Sequence, residues 1–66
     1  MAHLKEFGYF YIHNRMPSAL FTSLEDAEHS ADCVKLNDNR AISFYRVTKL
    51  ATEKLHIQYI QTWERN

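Results

Sequence analysis

Only one cysteine, one proline and one glycine occur among the 66 residues, and the formal net charge is zero. Each shortage removes a class of protein. A lone thiol, Cys33, cannot close an internal disulfide, which excludes the small disulfide scaffolds and makes the cytoplasm the natural compartment. So little glycine and proline argues against a linker-like or disordered chain. No apolar run approaches the roughly 18 residues that a membrane-crossing helix needs. The stretch Met1-Ala2-His3-Leu4-Lys5-Glu6 lacks the apolar core of a signal peptide. A protein that mimics DNA with acids, or grips it by bulk positive charge, would sit far from neutrality. There is no four-ligand zinc pattern, phosphate loop, nucleophile elbow or dinucleotide fingerprint. The expectation is therefore no cofactor, no metal, no small-molecule substrate and no catalytic residue.

What is present is a hydrophobic content of 45% and nine aromatics: four Phe, four Tyr and one Trp. Sixty-six residues make a single domain. A chain of this size buries only about 60% of its unfolded surface. Small folds take support from disulfides, metals or oligomerisation. With the first two missing, self-association is the support that remains.

The local patterns order themselves as strand, turn, strand, helix, strand, strand. Residues 4–13 read as a strand. Asn14 and Pro17 mark a turn, after which Ala19-Leu20-Phe21 predicts a short return strand that Pro17 assigns to an edge. A helix follows. Thr22 with Glu25 fits a capping box, and Ser23 with Asp26 is an equally good register. Leu24, Ala27, Ala31 and Val34 share one face at helical spacing. Acids crowd the first turn and Lys35 lies near the end, both favourable to the helix dipole. Asn37 is the expected left-handed cap. Residues 41–49 and 54–63, rich in β-branched and aromatic types, predict two further strands. The fold class is α+β, an antiparallel sheet of three to four strands with one helix on one face.

Alternation then assigns faces. The helix side takes Gly8, Phe10, Ile12, Leu20, Ile42, Phe44, Leu55, Ile57, Tyr59 and Trp63. The opposite side takes Tyr9, Tyr11, His13, Ser43, Tyr45, Val47, Lys49, His56, Gln58 and Ile60. One helix covers one face, so the tyrosine side needs a partner or is an ordinary solvated surface. Tyrosine is a favoured interface anchor, apolar in body and polar at its tip. Tyr9, Tyr11, Tyr45 and Arg46, with Lys49 in support, are the expected partner-binding residues. The same tyrosines could stack on bases while Arg40, Lys49 and Lys54 hold phosphates, which makes single-stranded nucleic acid the alternative partner.

Three chemical constellations weigh less. His29 and Cys33 stand four apart on the helix at metal-ligand spacing, but a third ligand would have to come from His3, His13 or His56. Glu25, Asp26 and Glu28 are explained by the helix N-terminus without acid–base work. His13, Arg15, Tyr45, Arg46, Lys49 and His56 are the residue types of a small metal-free ribonuclease, with no motif to fix their geometry.

Two resemblances attach to particular residues. Phe10-Tyr11-Ile12-His13-Asn14 loosely resembles the first short motif of the RNA-recognition-motif family, with His13 where glycine is usual and no second helix in the chain. Phe21-Thr22-Ser23-Leu24-Glu25-Asp26-Ala27 opens an alanine-faced helix between two hairpins. That layout resembles small phage-encoded proteins that inhibit host defence or host enzymes. The resemblance implies a module that binds a large target through an exposed face and carries no active site; it transfers no functional residue.

Overall fold

The computed structural model describes residues 4–50 and 54–64. Four strands and one helix follow in the order β1 (Leu4–His13), β2 (Met16–Pro17), α1 (Leu24–Asn37), β3 (Ile42–Leu50) and β4 (Leu55–Trp63). The strands form one antiparallel sheet in the spatial order β2-β1-β3-β4. The α+β class and the single covering helix are as the sequence predicts. The expected connection after β3 falls largely on residues 51–53, outside the described residues.

The first hairpin closes tightly. His13 pairs with Met16, so Asn14 and Arg15 alone make the turn, with φ of 53° and 64°. Two left-handed residues in a two-residue loop match the right-handed twist of the flanking strands. Asn tolerates that conformation; arginine adopts it at a cost. Arg15→Gly is therefore expected to stabilise the protein by about 0.5–1 kcal/mol, the left-handed strain outweighing the added chain entropy. A higher urea midpoint with an unchanged slope would show it.

The return segment is looser than predicted. Regular pairing ends at Pro17, and residues 19–21 contribute only the bridge from Phe21 to Tyr9. Between these points the Ser18 hydroxyl accepts from the Tyr11 amide at 2.9 Å, and the Ser18 amide donates to the Tyr11 carbonyl at 2.8 Å. A side chain thus stands in for a missing strand partner.

Of the two capping registers, Ser23 is the one used. Its hydroxyl accepts from the Asp26 amide at 3.1 Å. At the other end the left-handed cap expected at Asn37 is absent. Asn37 remains helical and Asp38 leaves in an extended conformation, its amide still reaching the Val34 carbonyl at 2.9 Å. The predicted helix face is the buried one. Ala27 and Ala31 are fully buried, with Leu24 and Val34 packed beside them. Two alanines let the helix approach the sheet closely enough to seal Tyr11, Ile42 and Phe44 into one core.

Two strands carry faces different from those the alternation predicts. In β1, Tyr11 stands opposite Phe44 and Phe10 opposite Tyr45. Tyr9 and Tyr11 therefore face the helix, and Phe10 faces away. Tyr11 is accepted into the core because its hydroxyl bonds the Ser30 hydroxyl at 2.9 Å across the helix interface, which satisfies the polar tip of an otherwise apolar ring. In β4, a bulge places Gln61 opposite Phe44 and Tyr59 opposite Tyr45. The extra residue reverses the alternation. Trp63 stays under the helix, packed on Phe44 at 4.7 Å between ring centroids. Leu55, Ile57 and Tyr59, expected there, move to the outer face, and Ile60, expected outside, joins the rim of the core.

Gly8 is also corrected. It precedes Tyr9, so it lies on the outward alternation, and a second bulge separates it from Glu6. Its φ of +155° does serve a close approach, but to the return segment: the Phe21 carbonyl and Leu20 crowd the position a side chain would occupy.

Candidate interaction surface

The outer sheet face is built from three strands. Phe10 on β1 stacks on Tyr45 of β3, with centroids 5.2 Å apart and planes 17° from parallel. Tyr45 in turn meets Tyr59 of β4 edge-on at 5.8 Å. These cross-strand contacts form one aromatic row across the sheet. Below it, Val47 is paired with Ile57, and Leu55 lies two residues farther along β4. Leu20 and Ile12 extend the surface toward β2 by the same alternation.

One end of the row is fixed by hydroxyls. The Tyr59 hydroxyl lies 2.7 Å from that of Thr62, which lies 3.0 Å from that of Ser43. Tyr59 is thus oriented although 57% exposed; Leu55 and Ile57 are exposed to 57% and 56%. Among the described residues, no helix or strand lies over this face. Large apolar groups exposed to water, with polar atoms at their margin, are the composition of an interface core and rim.

The five expected partner-binding residues are not brought together. Tyr45 is at the centre of the outer row, and Lys49 lies on the same side by alternation, half-buried. Tyr11 is a core residue, only 7% exposed. Tyr9 borders the core on the helix side, its backbone bridged to Phe21. Arg46 also faces the helix side, opposite Tyr9 and Gln58 and in alternation with Ile42 and Phe44. It is exposed, and its guanidinium donates to the Gln58 side-chain oxygen at 2.6 Å. Phe10, Ile57 and Tyr59 belong to the outer surface, whereas strict alternation assigns them to the helix side.

On the helix side, Tyr9, Leu24, Arg46, Gln58, Tyr59 and Ile60 line an open cleft of about 340 Å³. Farther along, polar links tie the helix to β4: Gln61 donates to Glu28 at 3.0 Å and Lys35 to the Glu64 carbonyl at 2.6 Å. Glu28 is thereby engaged in holding the helix to the sheet.

The ribonuclease constellation does not converge. His13 pairs with Ile42 at one end of β3, and His56 with Thr48 near the other, about 20 Å apart at the rise of a strand. His13 lies instead 3.4 Å from Asp38, which also meets Arg40 at 3.6 Å, while Arg40 donates to Asn14. This cluster joins the first turn to the end of the helix. His29 and Cys33 are exposed, as is the neighbouring Leu36. Among the described residues no three metal-ligating side chains come together. No helix among them is long and apolar enough to cross a membrane.

Comparison with protein family models, with characterised proteins and with solved structures finds no match for this chain.

Proposed function

We propose that the chain is a small non-enzymatic binding module that acts by protein–protein contact through the outer face of its sheet and self-associates. The observation that carries this reading is the ordered aromatic row Phe10–Tyr45–Tyr59 with Ile57 and Leu55 beside it. Affinity in such a surface comes from a few aromatic anchors rather than total area. Tyr45 and Tyr59 take that role here, in place of the Tyr9–Tyr11 pair. The likeness of its layout to small phage-encoded inhibitors supports a target that is a larger host complex, met in the cytoplasm.

The nucleic-acid alternative has less support. The aromatic row offers stacking, but Arg40 is engaged with Asp38 and Asn14, and Arg46 points to the other face. That partner would reveal itself by an affinity falling steeply with salt.

Tyr45→Ala combined with Tyr59→Ala tests the protein reading. The double variant is expected to keep its helix and strand signals while self-association weakens by about a hundredfold, since two anchors of roughly 1–2 kcal/mol each are removed. Sedimentation equilibrium measures it. A strict monomer whose protein partners are recovered equally by wild type and double variant would contradict the reading.

A further inference from the structure

The cleft on the helix side plays no part in the outer-face contact. Three strands meet there in one cross-strand row, with Tyr9 of β1 opposite Arg46 of β3, and Arg46 opposite Gln58 of β4. Leu24, the first residue of α1, and Ile60 add apolar walls, and Tyr59 completes the lining. Ile60 owes its place to the β4 bulge. It is the extra residue between the Tyr45–Tyr59 and Phe44–Gln61 pairs, and it packs at the rim of the core. Bulges commonly re-aim a side chain beside a site.

The polar groups of the cleft are chemically one-sided. The Arg46 guanidinium donates from Nη2 to Gln58 Oε1 at 2.6 Å. That bond orients the fork and occupies the amide oxygen. The Gln58 amide nitrogen and the remaining guanidinium N–H groups are all donors. Among the described residues no carboxylate pairs with Arg46. One cation with donors beside it suits a singly charged acceptor, and a carboxylate matches the planar fork. A phosphate group carries nearly twice the charge and gains nothing from Leu24 and Ile60. The volume of about 340 Å³ lies at the lower end for small-molecule sites. No histidine, acid or thiol lines the cleft, which equips it to bind rather than to react.

We infer that this cleft binds a small monocarboxylic acid with an apolar body. The carboxylate accepts from Arg46 and from the Gln58 amide, and the body lies against Leu24 and Ile60. The inference is independent of the outer-face reading, since Arg46 and Gln58 face the other side of the sheet.

Titration of the folded full chain with 3-phenylpropionate, followed by amide and guanidinium proton–nitrogen spectra at pH 7, tests it. Saturable shifts are expected at the Arg46 and Gln58 side chains, with a Kd of about 1–10 mM for a ligand of this size in an open site. The neutral 3-phenylpropanamide and inorganic phosphate should each bind at least about tenfold more weakly, because each lacks one half of the recognition. Arg46→Gln should weaken binding by about tenfold or more. Gln58→Glu sets a carboxylate on Arg46 in the ligand's place and should remove the response. Lys54→Gln deletes a charge about 13 Å along β4 and should leave the Kd within about twofold. All three residues are exposed, so the variants should stay folded. The absence of a saturable response in the wild type would overturn the inference. So would equal binding of the amide or of phosphate, an unchanged response in Gln58→Glu, or a loss in Lys54→Gln as large as that in Arg46→Gln.

Discussion

Tyr11→Ala is expected to destabilise the protein by about 3–5 kcal/mol, the range for truncating a large buried aromatic. For a domain of this size that is comparable to the whole stability, about 3–10 kcal/mol. Tyr11 lies between Phe21 and Phe44, with ring centroids 6.1 and 6.0 Å away, and its hydroxyl holds Ser30. The alanine variant should be largely unfolded by circular dichroism at room temperature. Tyr11→Phe removes only the hydroxyl and should cost about 1–2 kcal/mol, including the loss felt by Ser30. Had Tyr11 belonged to the outer face, both changes would be nearly silent in stability, so the pair of variants decides which way β1 faces.

Gly8→Ala should be the next most damaging change, at about 2–3 kcal/mol, by strain at a backbone angle that L-residues rarely adopt together with steric overlap. An added methyl would lie 2.7 Å from the Phe21 carbonyl oxygen and 2.8 Å from Leu20 Cγ. Leu20 can move, but the carbonyl is fixed by its bond from the Tyr9 amide at 2.8 Å, matched by the Phe21 amide on Tyr9 at 2.7 Å. Relief must therefore come from parting residues 20 and 21 from β1. Amide exchange would show it: protection at Tyr9 and Phe21 should fall well before that in β3.

Most of the architecture is legible in the sequence because it rests on local chemistry. The helix has its serine cap, its dipole-matched acids and its alanine face, and each acts within a turn or two. The two hairpin pairings, β1 with β2 and β3 with β4, also follow, since short connections favour antiparallel neighbours. The order of the strands does not: the β1–β3 pairing that joins the hairpins spans the helix. The faces are less legible. No residue in Leu55–Trp63 announces a bulge; there is no glycine or proline at Ile60–Gln61. Strict alternation therefore carries Leu55, Ile57 and Tyr59 to the same side as Trp63, and one inserted residue separates them. In β1 both alternating sets are apolar enough to be buried. The decision rests on Ser30, nineteen residues away, which gives Tyr11 a partner, and on Tyr45, which gives Phe10 a ring to stack on. Long-range partners of this kind leave no mark in the local pattern. Alternation places Tyr45 correctly because β3 carries no extra residue between Ile42 and Tyr45, and it misplaces Tyr59 because β4 carries one before Gln61.

We propose the Phe10–Tyr45–Tyr59 row as the working surface, in place of the Tyr9–Tyr11 side. The most direct measurement is the concentration dependence of the tyrosine ring resonances in the folded protein. Tyr59 should shift most as copies meet, Tyr45 should follow, and Tyr11 should stay constant. Constant Tyr45 and Tyr59 resonances alongside a shifting Tyr11 would contradict the account.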